Sequence, residues 1–572
     1  MSERPEWELR VDEAVQKLNL KWYKDDDRYS DGDVEEDIVR YIAQNKPEDY
    51  GKVIYENLDW AVYYHLSNVR RNLLNWYPFR KEGSVLEIGA GCGAITGLLC
   101  DKCKKVTAVE LSKRRATATQ VRCREKNNLE VIVGNLNDIE FEEKFDYITL
   151  IGVLEYQGTY TDSDNPYKDF LIKIKSLLKD GGKLLIAIEN KYGMKYWCGA
   201  VEDHTGIPFD GLNQYKFSGG KVRTFAKAEL TELLVQSGYM NSFYYYPMPD
   251  YKLPTVVYSE KYMPRNENME FVRPYYIPSD KTLLVEEKGL YRDIIKNNAF
   301  GFFANSFLVE CSPDSVGGTE KEEQVIFALL NNKRQKEYRT GTLIRNNGKV
   351  IKFALEGSMD MNPWFSQIIS NAKKMKEQGL KALPYYWSEE DGVTMDYVTF
   401  PVLEDFFRHA AAQKDTDAIW NLWDRVLGQI EAASESVEQE ECIIYELGLD
   451  EYGEQKDYGK ILKEGYLDMV PKNCFMNGEE LLWYDQEWTL DNVPAKFVLY
   501  RAMVETYTSI SELNKIIPTT EFIKHYGMDG NLGVFMSLNE LFLQMVMDNF
   551  YVGNVIENND KFVYRRNIFK LL

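Results

Sequence analysis

The sequence predicts an α/β protein in two parts: a doubly wound, largely parallel sheet in the N-terminal half and a two-lobed α+β domain in the C-terminal half. Three observations carry this reading. Short apolar strands alternate with helix-length segments from about residue 84 to residue 188, the pattern of a sheet covered on both faces. A proline-rich stretch then interrupts the alternation. Beyond it come hairpin strands, one helix and a mainly helical remainder. At 572 residues the chain is too long for a single core, so at least two domains are expected.

Residues 1–80 read as a helical cover for the neighbouring domain, with Trp60-Ala-Val-Tyr-Tyr-His-Leu-Ser67 leading into Asn68-Val-Arg-Arg-Asn-Leu-Leu74. In residues 81–250, strands are predicted at Val85–Ile88, Lys105–Glu110, Glu130–Val133, Asp146–Ile151 and Lys183–Ile188, with helices over Ala94–Cys103 and on to Arg124. Residues 251–320 hold Pro254, Pro264, Pro274, Pro278 and Pro313 and are expected to be a connection. Residues 321–572 begin with three expected antiparallel strands between Val325 and Leu355. They are separated by Asn331-Asn-Lys-Arg-Gln-Lys336 and by the hairpin turn Asn346-Asn-Gly-Lys349. A helix over Trp364–Gln378 and a strand at Val393–Val398 follow.

Composition narrows the class. A hydrophobic content of 44% and an aromatic content of 13% mark an ordered globular chain. The formal net charge of −21 repels phosphate backbones and argues against a nucleic-acid partner. The eight cysteines are scattered, and Cys100-Asp-Lys-Cys103 has no second pair at zinc spacing, so reduced structural thiols are expected. Met1-Ser-Glu-Arg-Pro5 does not read as a secretory leader, and no apolar run reaches the length of a transmembrane segment, so the expected location is cytoplasmic.

The first candidate site is the turn Glu87-Ile-Gly-Ala-Gly-Cys-Gly93 between a strand and a helix. Gly89, Gly91 and Gly93 let the backbone approach a ligand there, beside the free N–H groups of the helix start. Alone the turn also satisfies a dinucleotide fingerprint. Glu87, two residues before the first glycine, would repel a pyrophosphate but suits a cationic ligand. Glu110 ends the next strand, where it can accept hydrogen bonds from both hydroxyls of a ribose. With Leu178-Lys-Asp-Gly-Gly-Lys183 before the fifth predicted strand, the stretch from about 60 to 250 resembles class I S-adenosylmethionine (SAM) methyltransferases, which have a Rossmann-like doubly wound sheet. The resemblance implies that Glu87 faces the methionine portion of SAM, that Asn135 and Leu136 lie near the adenine, and that Gly152 and Glu155 face the methyl group. Glu155 reads equally as a carboxylate at a helix start. Polar and aromatic residues crowd Glu189–Trp197 and Glu202–Gly211 in loops beyond a strand end, and His204 among them reads either as a structural hydrogen-bonding residue or as a candidate general base.

The second candidate site lies in Gly465-Tyr-Leu-Asp-Met-Val-Pro-Lys-Asn473 and Trp483-Tyr-Asp-Gln-Glu-Trp488. Phosphoryl transfer needs a carboxylate to orient the attacking hydroxyl and side-chain oxygens to hold magnesium. Asp468 fits the first role, and Asn473 and Asp485 fit the second. Lys352 in Val350-Ile-Lys-Phe-Ala354 is suited to nucleotide phosphates, and Met395-Asp-Tyr-Val398 to a hinge beside adenine. Residues 320–545 thus resemble aminoglycoside-phosphotransferase-like kinases, which implies ATP and Mg2+. The chain departs from that pattern in three ways. Tyr466-Leu467 replaces the His-Gly before the catalytic Asp, a glycine-rich phosphate loop is missing, and Gln367 and Asn371 stand where an acidic partner for Lys352 belongs. The basic Lys333-Arg-Gln-Lys336 stands in for the missing loop's charge.

The two halves in this order resemble the bifunctional kinase–methyltransferases that terminate bacterial O-antigen polysaccharides. That resemblance implies a glycan or sugar-precursor acceptor that is phosphorylated and then methylated, and association with polysaccharide-assembly glycosyltransferases. The long heptad coiled coil of those terminators is missing from Asn558–Leu572. A glycan O-methyltransferase with a silent kinase-like half, and a non-catalytic sensor of SAM or nucleotide, remain alternatives.

Overall fold

The computed structural model describes residues 4–25, 32–57, 59–265, 285, 287–314, 318–356, 363–389, 391–453 and 457–551. The chain forms two compact units. Residues up to 333 together with 341–347 make the first, and residues 334–340 with 348–549 make the second.

The first unit is built on strands β1 (Asn19–Trp22), β2 (Ser84–Ile88), β3 (Lys105–Glu110), β4 (Leu129–Gly134), β5 (Phe145–Ile151), β6 (Leu178–Glu189), β7 (Asn241–Met248), β8 (Val256–Ser259), β9 (Ser306–Ser312), β10 (Val325–Asn331) and β11 (Thr340–Arg345). Their order is β1-β4-β3-β2-β5-β6-β9-β7-β8-β10-β11. The pairings from β1 to β6 are parallel, and those of β6 with β9 and of β9 with β7 are antiparallel. Every residue of β2 is buried, as a strand covered on both faces requires, which is why its sequence is an apolar run and not an alternation. The helix Lys113–Arg122 follows β3 and is started by Ser112, whose Oγ accepts from Arg115 N at 3.4 Å.

The sheet is therefore mixed, not simply parallel, and residues 251–320 are not a connection. Every residue of β9 is buried, and the strand lies between β6 and β7. Pro254 precedes β8 and Pro313 follows β9, so these prolines bound strands without breaking their ladders. Pro274 and Pro278 fall outside the described residues. The expected boundary at 321 also moves, because β10 pairs antiparallel with β8 and belongs to the first unit. Residues 1–80 supply a strand, β1, as well as the helices Glu6–Gln16, Val34–Gln44, Tyr50–Glu56 and Trp60–Leu66. The turn expected at Leu178–Lys183 is a bulge within β6, where Phe145 pairs with Leu178 but Tyr147 pairs with Lys183.

In the second unit, β12 (Lys349–Ala354) pairs antiparallel with β15 (Gly392–Asp396), and β15 with β14 (Tyr386–Ser388). Two small sheets follow: β13 (Lys381–Ala382) with β19 (Glu480–Trp483) and β18 (Cys474–Asn477), and β16 (Ser436–Val437) with β17 (Ile461–Tyr466) and β20 (Thr489–Pro494). One helix, Pro363–Glu377, follows β12, and the helices Leu403–Gln413, Thr416–Ala432, Ala495–Ser509 and Leu532–Val546 enclose a core around Trp423, Trp483 and Phe497. The C-terminal segment Asn558–Leu572, read as lacking heptads, lies outside the described residues.

Phe307 of β9 is fully buried, with its ring edge-on to Tyr244 at 5.5 Å. Phe307→Ala is expected to destabilise the first unit by about 3–5 kcal/mol, read as a lower urea midpoint. Met240→Ala, at an exposed position, should change it by no more than about 0.5 kcal/mol.

Candidate functional site

A cavity of about 790 Å3 opens at the carboxyl ends of β2, β3, β5 and β6, where sheets of this topology bind ligands. One end is the glycine turn. Gly91 has a φ of +57°, and a Cβ there would meet nothing within 4 Å, because that side faces open cavity. Its N–H donates to Glu110 Oε2 at 2.7 Å, and its carbonyl accepts from Thr119 Oγ1 at 2.7 Å. Glu110 Oε1 accepts from Ser112 N at 3.0 Å. Burial raises the Glu110 carboxyl, opposed by Arg115 and by the amides of Ser112 and Gly91. Asn135, Leu136, Gly89 and Gly152 also line the cavity.

Two residues expected to meet the ligand do not line it. Glu87 is buried behind the turn, where its Oε2 accepts from the Thr96 hydroxyl at 2.6 Å. Gly93 faces the helix Lys113–Arg122, where a Cβ would come within 2.9 Å of Thr119 Cα. Both residues therefore shape the turn from behind. Burial pushes the Glu87 carboxyl up to about 7.

The other end of the cavity is densely charged. Glu155, after β5, and Glu189, at the end of β6, are 1% and 0% exposed. His204 Nε2 lies 3.3 Å from Glu155 Oε1 and 3.8 Å from Glu189 Oε2, and its Nδ1 lies 3.2 Å from Glu202 Oε1. Lys252 pairs with Glu189 and Asp203, and Lys195 with Asp203 and Asp250 at 2.7 and 2.8 Å. Burial alone would lower the His204 pKa, but Glu189, Glu155 and Glu202 outweigh it and hold the ring well above its ordinary value. The general-base role expected of His204 needs the neutral ring; where the ring keeps its proton, the neighbouring carboxylates are the acceptors. Sequence reading assigned no role to Glu189, Lys195, Asp250 or Lys252. The available signal was their position at strand ends: Glu189 ends β6, Lys195 follows it, and Asp250 and Lys252 follow β7.

In the second unit the expected residues also converge. Lys352 on β12 pairs with Asp485, and with Glu487 at 2.6 Å. Arg334 reaches Glu487 at 2.5 Å. Asp468 Oδ2 accepts from the N–H groups of Glu487 and Trp488 at 2.9 and 3.0 Å, and Asn473 Nδ2 donates to the Asp468 carbonyl at 3.2 Å. Burial, with Glu487 nearby, raises the Asp468 carboxyl to about 7. Asp485 has a φ of +58°, an uncommon backbone for a residue with a side chain. Gln367 and Asn371 bond to each other, and the partners of Lys352 come from the acidic stretch after β19.

The topology and the glycine-turn cavity define the first unit as having the Rossmann-like fold of class I methyltransferases. Residues 86–186 match the family described as "Methyltransferase domain". Among curated proteins, an uncharacterized methyltransferase of Staphylococcus carnosus is 37% identical over 146 residues, which are 25% of this chain and 64% of that protein. A malonyl-[acyl-carrier protein] O-methyltransferase of Priestia megaterium is 29% identical over 119 residues, 20% of this chain and 40% of that one. The chain thus spans less than two thirds of the length of either relative. A solved SAM-dependent methyltransferase of Thermotoga maritima is 16% identical, with a TM-score of 0.27, covering 46% of this chain and 98% of that one. Residues 86–186 are thus similar to a methyltransferase domain.

Two measurements test this end of the cavity. Glu110→Ala removes the acceptor of two backbone amides and is expected to weaken SAM binding about tenfold or more by calorimetry. Glu87 ordinarily titrates at 4.5, so its raised folded value makes the folded state hold the proton more tightly. The resulting stability is full below pH 4.5 and is lost as pH rises through about 7. Glu87→Gln should therefore remove about 3 kcal/mol of stability loss between pH 5 and pH 8, seen as a flatter dependence of the urea midpoint on pH.

Proposed function

We propose that the chain is a SAM-dependent methyltransferase acting with a kinase-like second unit on a bacterial surface polysaccharide or its precursor. The observation that carries the methyl-transfer reading is a single cavity joining the Gly91–Glu110 cradle to a buried, charged acceptor end. The open space over Gly91, which any side chain would fill, fits the cofactor. SAM supplies a methyl group on a sulfonium. Around it, Glu110 and the turn amides hold the nucleoside, Asn135 and Leu136 flank the base, and buried Glu155 and Glu189 line the acceptor end. Enclosure there excludes water and favours alignment of the two reactants, the main requirement when the nucleophile is already an oxyanion.

The cluster of Lys352, Asp468, Asn473 and Asp485 supports phosphoryl transfer in the second unit. In this reading Asn473 and Asp485 hold Mg2+, Lys352 meets the phosphates of ATP, and Asp468 orients a sugar hydroxyl. The phosphate added there becomes the acceptor for the methyl group, and polysaccharide-assembly glycosyltransferases are the partners that supply the glycan.

One observation favours a second reading, methyl transfer with a silent second unit. The Asp468 carboxylate is engaged by two backbone amides, and Lys352 is held by both Asp485 and Glu487. Mass spectrometry of the glycan after incubation with SAM, ATP and magnesium separates the two. Asp468→Asn should abolish both the added phosphate and the added methyl. Methyl transfer undiminished in that variant would leave only the second reading standing.

A further inference from the structure

We infer that Glu155, Glu189 and His204 form a divalent-cation site at the acceptor end of the first unit's cavity, where the ion binds an acceptor that presents oxygen. The inference rests on reading that cavity as the place of methyl transfer. One ligand atom from each of the three residues lies within 4.8 Å of the other two. All three residues line the cavity. They come from separate parts of the fold: the turn after β5, the end of β6 and the loop beyond it.

Unsatisfied atoms point to a missing ligand. Glu155 Oε2 and Glu189 Oε2 accept no hydrogen bond, although both side chains are almost fully buried, and Glu155 Oε1 has only His204 Nε2 beside it, at 3.3 Å. Leaving such atoms bare is costly, and each one calls for an explanation. The remaining atoms of the set are already engaged. Lys252 and Tyr251 approach Glu189 Oε1, and Glu202 approaches His204 Nδ1. That leaves Glu189 Oε2 and His204 Nε2, 3.8 Å apart, as the ligand atoms that lie within 4.8 Å of one from Glu155, with outer partners fixing their orientation as those of metal ligands do.

Charge agrees with the geometry. At this end five carboxylates (Glu155, Glu189, Glu202, Asp203, Asp250) face Lys195, Lys252 and His204, an excess of two negative charges even with His204 protonated. Metal binding releases the Nε2 proton of His204 to solvent, and the two carboxylates and neutral imidazole then suit a divalent ion such as Mn2+ and leave coordination positions open for substrate oxygens. A phosphate or sugar hydroxyl would otherwise face two bare carboxylates. The ion reverses that field and draws the acceptor oxygen to the methyl donor.

Mn2+ titration of the full chain, followed by electron paramagnetic resonance, tests the site. The expected result is one bound ion whose spin-echo signal carries imidazole nitrogen coupling. The cluster of Asp468, Asn473 and Asp485 offers no imidazole and so cannot mimic that signal. His204→Ala should abolish the coupling. Glu155→Gln and Glu189→Gln, close in shape to the native residues, should each weaken binding at least tenfold while thermal melting shows a folded chain. An absence of nitrogen-coupled Mn2+, or equal affinity in the Glu155→Gln/Glu189→Gln double variant, overturns the site. SAM affinity measured without metal reports separately on the methyltransferase reading.

Discussion

The hydrogen bond from Gly91 N–H to Glu110 Oε2 is the constraint on which the first unit's site depends. It ties the turn after β2 to the end of β3, and Thr119 Oγ1 holds the carbonyl of the same glycine from the next helix. Gly91 is thus clamped on both sides of a left-handed backbone conformation while its third side stays open. Glu110 also receives the amide of Ser112, whose hydroxyl starts the helix carrying Thr119. The clamp closes through one carboxylate, one capping hydroxyl and one threonine.

Local pattern made this much legible. Strands buried on both faces read as apolar runs, the turn glycines read as backbone approaching a ligand, and Glu110 read as the end of the second strand. What stayed hidden is non-local. β9 pairs with β6, more than a hundred residues earlier in the chain, and nothing in Ser306–Ser312 announces which strands will flank it. Lys252 and Glu189 meet only because β6 and β7 both flank β9 and deliver their ends to the same edge of the sheet. Glu87 misled for a different reason. Its spacing from the glycines is right for a ligand contact, but strand pleating turns it behind the turn, toward Thr96.

His204 shows how burial and charge together override residue type. An isolated histidine titrates near neutrality and suits proton transfer. Three carboxylates around this ring favour its charged form more strongly than burial opposes it. The character of the ring depends on Glu202 in its own loop and on Glu155 and Glu189 from two other segments. The second unit repeats this logic, with Lys352 supplied by β12 and its acidic partners by the stretch after β19.

Neither charged cluster is explained by stability. Removing paired charges from water costs more than their attraction commonly returns, and apolar residues of similar volume serve a fold as well or better. Buried groups with strongly displaced titration concentrate instead where chemistry is done. In the first unit the charges do not cancel. Such an excess of negative charge repels a bare anion and attracts a cation, whether an amine or a metal ion that carries an oxyanion. The carboxylate oxygens of Glu155 decide between these two classes. Oε2 has no donor and Oε1 only His204, so an ammonium would have to serve Glu155 and Glu189 together while His204 already competes for both. In the proposed site one ion would take one ligand atom from each of the three residues and so serve both carboxylates together.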